Sequence, residues 1–165
     1  MKKIILIGFM GAGKTTVGSL LAQRLCCNFI DLDEEIVKFE CCSINDIFQR
    51  KGESAFRICE SDALKRVSTD SCFVLSTGGG IIGSSHNWTL MREKGTIIYL
   101  HCDWDVLQLR LKSSTARPLV NQGDADRLHQ LYLSRLPLYQ QADFIVDANG
   151  LSPDQIVTQI LSLTE

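Results

Sequence analysis

An eight-residue segment near the N-terminus, GFMGAGKT at 8–15, matches the phosphate-loop pattern G-x-x-x-x-G-K-[ST] at every fixed position. It lies between an apolar run rich in β-branched residues, 2–7, and a stretch with apolar residues at helical spacing, 16–25. In such a strand-loop-helix unit, glycines let backbone N–H groups surround a phosphate, and the helix N-terminus adds a favourable dipole. The alternative, a glycine-rich turn with a chance Lys-Thr pair, leaves both flanking patterns unexplained.

Residues of this loop have distinct expected roles in binding a nucleotide. The Lys14 ammonium is expected to reach the β- and γ-phosphates, and the Thr15 hydroxyl is expected to bind Mg²⁺. The whole set of expected phosphate contacts is Gly11, Ala12, Gly13, Lys14, Thr15 and Thr16.

Composition describes an ordinary globular protein of 165 residues, which is the size of one domain. The net charge of -2 gives no reason to expect a nucleic-acid-binding surface. No apolar run approaches the roughly 20 residues needed to span a bilayer. The apolar run before the phosphate loop is too short for a signal peptide, so we expect a cytoplasmic protein with no nucleic-acid or membrane partner.

Seven cysteines are present, at positions 26, 27, 41, 42, 59, 72 and 102. None forms a C-x-x-C motif, and two pairs are directly adjacent, which suits neither a zinc site nor a common disulfide framework. We therefore expect small, buried, hydrophobic side chains in a reducing cytosol.

Strand-like and helix-like segments alternate along the chain. The strand-like runs lie at 2–7, 28–33, 72–76, 96–100 and 144–147. This alternation predicts an α/β fold in three layers, α/β/α, with a five-stranded parallel sheet and right-handed crossovers. Pro137 should kink or prematurely end the helix predicted at about 124–140.

Polar or glycine-rich residues follow three of these strands directly. Asp31 and Asp33 come after the second, and alternation places them on one side if the extended conformation persists. Three glycines, Gly78, Gly79 and Gly80, come after the third and permit close approach of a ligand. Since ligands of parallel sheets bind beyond the strands' carboxyl ends, these residues and the phosphate loop should gather at one edge.

The segment between the second and third strands is predicted to be helical. Ser43 to Asp46 resembles a capping box, and Gly52 should interrupt the helix that it opens. A longer helix is expected at about 53–67. Its apolar stripe leaves Arg57, Glu60 and Lys65 outside.

With these segments placed, the chain resembles the shikimate kinase family from end to end. The matching segments are the phosphate loop, DLD at 31–33, GESAFR at 52–57, STGGG at 76–80, ARPL at 116–119 and RLPLY at 135–139. The resemblance implies a P-loop, nucleoside-monophosphate-kinase-like fold, a single kinase domain over 1–165, and a substrate-binding helical region at about 33–62. A mobile lid is implied at about 113–124. It also implies a monomer that phosphorylates the 3-hydroxyl of shikimate with MgATP, in the biosynthesis of chorismate and aromatic amino acids.

The resemblance also implies which residues bind shikimate. Asp33 would orient the attacking hydroxyl and accept its proton; capping of the following helix is an equally good interpretation from the residues alone. Arg57 and Arg135 would clamp the carboxylate through planar, bidentate guanidinium groups. Glu60, three residues after Arg57 on the same helix face, could hold that arginine in place. The remaining contacts implied are an apolar wall of Phe48, Phe56 and Pro118 and the backbone of Gly78, Gly79 and Gly80.

On the nucleotide side, the resemblance implies four further contacts. Asp31 matches the residue that contacts Mg²⁺ through water. Arg117, in the lid, matches the arginine that closes over the ATP phosphates and stabilises charge during transfer, which makes it catalytic together with Lys14 and Asp33. Arg110 and Pro153 match the positions on either side of the adenine.

Two other functions compete with this interpretation. One is a kinase of another small metabolite, such as a gluconate-kinase-like enzyme, whose substrate also carries a carboxylate and hydroxyls. The second is a nucleotide-binding regulatory module that has lost catalysis. The ordered set of Asp33, Arg57, the three glycines and Arg135 favours shikimate, and intact Lys14 argues against a regulatory module.

Overall fold

The computed structural model describes residues 2–113 and 122–164, in which strands and helices alternate along the chain. The strands are β1 (Lys3–Ile7), β2 (Asn28–Asp31), β3 (Phe73–Ser76), β4 (Thr96–His101) and β5 (Phe144–Asp147). The helices are α1 (Lys14–Arg24), α2 (Leu32–Glu40), α3 (Ile44–Arg66), α4 (Ser85–Lys94), α5 (Trp104–Ser113), α6 (Gln122–Tyr139) and α7 (Pro153–Leu163).

All five strands form one sheet in the order β2-β3-β1-β4-β5, and every pairing is parallel. Strand β1 lies at the centre, where Ile5 is opposite Leu75 on one side and Ile97 on the other. The predicted five-stranded parallel sheet is therefore confirmed. The order places the loops after β1, β2 and β3 next to one another at the carboxyl edge of the sheet.

Both faces of the sheet are covered. The β1 residues Ile4 to Ile7 are at most 1% exposed, and successive strand side chains point to opposite faces, so layers of structure must lie on each side. Gly18 lets α1 approach the sheet closely, because a Cβ at this position would lie 2.7 Å from the Phe29 ring. The result is the predicted three-layer α/β/α arrangement.

The chain turns from strand to helix earlier than alternation predicts. Strand β2 ends at Asp31, whose carboxylate caps α2 by accepting a hydrogen bond from the Asp33 backbone N–H at 3.0 Å. Asp33 therefore lies in the first turn of a helix, and the extended conformation does not persist between the two aspartates. The interpretation of Asp33 as the helix cap is also wrong, since Asp31 has that role.

The predicted breaks in the helical region are present. Ser43 and Asp46 form the capping box at the start of α3. Gly52 has φ 81° and ψ 176°, a non-helical conformation that kinks α3. Glu60, by contrast, is fully buried, which corrects its expected place outside the buried stripe.

Proline does not end α6. The helix continues past Pro137 to Tyr139, and the Gln140 N–H still donates to the Leu136 carbonyl at 3.1 Å. Proline removes one backbone donor only, and within a turn of the helix end this loss leaves the remaining bonds in place. The expected early end is therefore wrong.

All seven cysteines are free thiols, and only Cys102 is buried. Cys26 and Cys41 are exposed and the other four are half-buried, so the expectation of buried cysteines holds for one position. Within the described ranges, no helix has the length and apolarity required to cross a membrane.

Candidate active site

The phosphate loop connects β1 to α1 and leaves the N-terminus of α1 open. Gly11 and Gly13 have φ of 82° and 94°, in the left-handed region that side chains disfavour, and Gly13 caps the helix without a side-chain hydrogen bond. The Lys14 ammonium donates to the carbonyls of Gly8 at 2.8 Å and Phe9 at 3.0 Å. The loop thus presents a cation and a helix N-terminus at the same place, which suits a phosphate.

A cavity of about 450 Å³ lies over this loop. Of the residues predicted to bind nucleotide, it is lined by Gly11, Gly13, Lys14, Thr15, Thr16 and Arg110. The Arg110 guanidinium donates to the Gly11 carbonyl at 3.0 Å, so this side chain lies against the loop. Two residues predicted to bind nucleotide do not line the cavity. Ala12 is a buried residue of the loop itself, and Pro153 is the first residue of α7.

Two oxygen-bearing side chains meet at the edge of this cavity. The Thr15 hydroxyl donates to the second carboxylate oxygen of Asp31 at 2.9 Å, and both residues line the cavity. Magnesium prefers such hard oxygen ligands and commonly takes few from the protein, since water and phosphate supply the rest. The pair fits a magnesium ion of this kind. Among the described residues, no group of three or more His, Cys, Asp or Glu residues could hold a metal.

A larger cavity, of about 820 Å³, adjoins the first. The predicted shikimate residues that line it are Asp33, Phe48, Phe56, Arg57, Gly78, Gly79, Gly80 and Arg135. Met10, Asp33, Gly78 and Gly79 line both cavities. Asp33 therefore lies where the contents of the two cavities would meet.

Arg57 is held by carboxylates on its own helix. Its guanidinium contacts Glu60 at 2.5 Å and Glu53 at 3.0 Å. Burial raises the pKa of Glu60 and outweighs the opposing effect of Arg57, while Asp33 raises it further. At Arg57, burial lowers the pKa, but the two carboxylates outweigh burial and the pKa is raised overall. The arginine thus stays charged and faces the larger cavity.

The three glycines make room for charged side chains. A Cβ on Gly80 would overlap the Arg57 guanidinium, and a Cβ on Gly78 would lie 2.8 Å from Glu60 and 3.1 Å from Asp33. None of these glycines has φ in the left-handed region, so it is lack of space that favours glycine at positions 78 and 80, whereas a Cβ on Gly79 would lie no closer than 3.4 Å to its neighbours. The sequence predicted that a ligand approaches these glycines closely. The structure shows that the protein's own charged side chains, Asp33, Arg57 and Glu60, approach Gly78 and Gly80 closely.

Tyr139 is a residue of this site that the sequence interpretation missed. Its hydroxyl donates to the Gly79 carbonyl at 2.7 Å, and its side chain is fully buried. The available signal was its position on the same helix as Arg135, one turn later, within a segment that already matched the family. Leu111 was also missed; it lines both cavities from the end of α5.

Two predicted site residues, Arg117 and Pro118, lie outside the described residues, as does most of the predicted lid. Their roles stay predictions. The same is true of the adenine contacts expected from Arg110 and Pro153.

Comparison with known proteins identifies the family. The family model named shikimate kinase matches residues 10–165. The chain belongs to the shikimate kinase family. A curated shikimate kinase of Persephonella marina is 42% identical over 161 residues, covering 98% of each chain, and one of Thermodesulfovibrio yellowstonii is 40% identical, covering 98% of this chain and 94% of the relative.

Solved structures agree. A shikimate kinase from Acinetobacter baumannii in complex with shikimate is 33% identical with a TM-score of 0.92, covering 99% of this chain and 93% of that one. The fold is therefore that of P-loop kinases, and the function is that of a shikimate kinase, which uses ATP. Family membership decides against the gluconate-kinase-like and non-catalytic interpretations.

Proposed function

We propose that this chain transfers the terminal phosphoryl group of MgATP to the 3-hydroxyl of shikimate, giving shikimate 3-phosphate and ADP. The observation that carries the proposal is the shared wall of the two cavities. One cavity holds Lys14 and the open end of α1, the other holds two arginines, and Asp33 lines both. A bound alcohol and a bound phosphate would therefore meet beside a carboxylate.

The arginines bind the substrate by its carboxylate. Arg57 and Arg135 offer charged, planar donors from α3 and α6, and Phe48 and Phe56 supply an apolar wall for the ring. The two phenylalanine rings lie 4.7 Å apart, which makes the wall continuous. Pro118 would complete the wall from the lid.

Asp33 orients the attacking hydroxyl and accepts its proton as the new bond to phosphorus forms. Lys14 exchanges its loop carbonyls for phosphate oxygens. Thr15, and Asp31 through water, would hold Mg²⁺, which supplies charge neutralisation on the phosphates when bound. Arg117 would close over the phosphates and stabilise the charge that develops during transfer.

We further propose that the enzyme is a cytoplasmic monomer formed by a single kinase domain over 1–165, with its substrate region at 33–62 and its lid at about 113–124. Seven free thiols suit a reducing compartment. The enzyme's product would enter the biosynthesis of chorismate and aromatic amino acids.

A coupled assay of ADP release tests the proposal directly. Shikimate and a panel of sugar acids, including gluconate, are offered with MgATP, and turnover is expected with shikimate alone. The Lys14→Ala variant should show turnover lowered by about 100-fold or more with an unchanged melting profile, because its charge acts on the phosphates. Turnover with another acid in place of shikimate, or with none, would refute the proposed reaction.

A further inference from the structure

We propose that Tyr139 is a positioning residue of the shikimate site: its hydroxyl fixes the Gly79 peptide, and with it the Arg135 guanidinium, in the arrangement that receives the substrate carboxylate. This inference rests on the proposed function of the larger cavity.

Packing allows the Tyr139 ring no freedom. The side chain is fully buried, and its ring stacks on that of Tyr99 in β4, with centroids 4.8 Å apart and planes 10° from parallel. Such stacking fixes where the hydroxyl lies. That hydroxyl reaches across 60 residues of sequence to donate to the Gly79 carbonyl at 2.7 Å.

Gly79 occupies the junction between the two cavities. A Cβ at this position would lie 3.4 Å from the Gly8 carbonyl, 3.5 Å from the Met10 N–H nitrogen and 3.5 Å from the Arg135 guanidinium. The Gly79 peptide therefore lies beside both the phosphate loop and Arg135. A peptide in this position sets the spacing between the phosphate loop and Arg135. The Tyr139 hydroxyl holds this peptide in place through its hydrogen bond to the Gly79 carbonyl.

Arg135 needs such support because its surroundings differ from those of Arg57. Arg57 is held by Glu53 and Glu60, whereas the Arg135 guanidinium lies 5.8 Å from the Phe9 ring centre and interacts with the Tyr139 hydroxyl. Burial raises the pKa of Tyr139, and Arg135 offsets only part of this rise. The hydroxyl thus stays protonated at neutral pH and can donate to Gly79 throughout turnover.

The decisive variant is Tyr139→Phe, which keeps the stacked ring and removes the hydroxyl alone. Its matched control is Tyr132→Phe. Tyr132 is a buried tyrosine of the same helix whose hydroxyl donates to the Cys102 carbonyl at 3.0 Å. Both variants lose one buried hydrogen bond to a backbone carbonyl, so their melting temperatures should fall by similar amounts.

Steady-state kinetics separates positioning from structural support. For Tyr139→Phe we expect the KM for shikimate to rise about three- to tenfold, the effect of one hydrogen bond, with the KM for ATP changed less than about twofold. For Tyr132→Phe we expect both KM values to stay within about twofold. An unchanged KM for shikimate in folded Tyr139→Phe would show that the hydroxyl is structural only, and would overturn the inference.

Two further variants test the route of the effect. In an Arg135→Ala background, the same Tyr139→Phe change should alter the KM for shikimate by less than about twofold, because the group that it positions is gone. An equal effect in both backgrounds would overturn the link to Arg135. Should Tyr139→Phe not fold, Gly79→Ala tests the same peptide, because it adds a methyl group beside the Gly8 carbonyl and the Arg135 guanidinium. This variant should raise the KM for shikimate, and an unchanged KM would again refute the proposal.

The wild-type assay separates failure of this inference from failure of the proposed function. No turnover of shikimate by the wild-type chain refutes the function. Turnover by the wild type, with Tyr139→Phe and Tyr132→Phe kinetically alike, refutes the inference alone.

Discussion

Arg57 and Glu60 form an ion pair whose two partners differ sharply in exposure. The guanidinium lies 2.5 Å from the carboxylate, and the side chains are 32% and 1% exposed. The buried carboxylate holds the partly exposed arginine against Gly80 at the wall of the larger cavity. This arrangement makes the position of Arg57 in the cavity depend on the charge of Glu60, which lines the same cavity.

Substitution of Arg57 should therefore affect both binding and stability, and two variants separate these effects. Arg57→Lys keeps a positive charge beside Glu60 but loses the planar fork, so we expect a KM for shikimate raised about tenfold and near-normal stability. Arg57→Ala should raise this KM about ten- to a hundredfold, and should also lower the free energy of unfolding by about 1–3 kcal/mol because Glu60 loses its cation. Calorimetric titration should give nearly wild-type affinity for ATP in both variants. A loss of ATP affinity would show that Arg57 does not belong to the substrate site.

The buried Glu60 carboxyl should make stability depend on pH. Its pKa is raised above the ordinary 4.5 by burial and by Asp33 on α2, against the opposing effects of Arg57 on α3 and Arg135 on α6. The stabilising contribution of the protonated group is complete below pH 4.5 and is lost as pH rises through the raised pKa. Relative to wild type, Glu60→Gln should therefore gain stability as pH rises from about 4.5 to 8.

Urea unfolding of wild type and Glu60→Gln at several pH values measures this difference. Glu53→Gln, which removes the exposed carboxylate on the same guanidinium, controls for a general loss of charge around Arg57. A difference that changes in the opposite direction would show that the ion pair with Arg57 outweighs burial at Glu60 and lowers its pKa instead.

Arg117 should act mainly in the transition state if it closes over the phosphates. We expect Arg117→Ala to lower kcat by about 100-fold or more while changing the KM for shikimate much less. Arg117→Lys should recover only part of the loss, because an ammonium keeps the charge without the fork. Arg92→Ala, on α4 and outside the lining of both cavities, is the matched control. Equal kcat in the Arg117 and Arg92 variants would contradict the expected role.

Two adjacent cysteines should differ in reactivity. Cys26 is exposed, whereas Cys27 is half-buried and its pKa is raised to about 11 by burial, with Cys72 and Cys26 adding to the rise. The thiolate is the reactive form, and at pH 8 about one in a thousand Cys27 side chains would carry it. Alkylation followed by peptide mass spectrometry should show Cys26 modified at least about tenfold faster; equal rates would refute this.

Since all seven thiols are free, dithiothreitol should leave the melting temperature unchanged. A large fall on reduction would reveal disulfides and contradict a reducing compartment.

Local patterns predicted the framework well. The phosphate loop, the alternation of strands with helices and the capping box of α3 each depend on neighbouring residues, and each is present as expected. Rules for parallel sheets then placed Asp31 and the three glycines at one edge, where Asp31, Gly78 and Gly79 line the cavity over the phosphate loop and Gly80 lines the larger cavity beside it.

Predictions from local sequence patterns were wrong or incomplete where contacts with other segments determine burial, conformation or hydrogen bonding. Periodicity placed Glu60 outside the buried stripe of α3, but the packing of Gly78 against it and the charge of Arg57 permit its burial. Alternation kept Asp33 in a strand, although the Asp31 carboxylate caps a helix there. The position of Tyr139 one turn after Arg135 indicated that it lies near the site, but no neighbouring residue indicates that its hydroxyl donates to the Gly79 carbonyl.

The sequence by itself determined the strands and helices, the parallel class of the sheet and the phosphate loop, because propensity, periodicity and motif spacing act over a few residues. Only the tertiary structure decided which charged side chains are buried, which thiols are exposed, and which side chains hold Arg57 and the Gly79 peptide in place. Burial and hydrogen bonding are set by whatever lies across the fold, and that is fixed only when distant segments pack together.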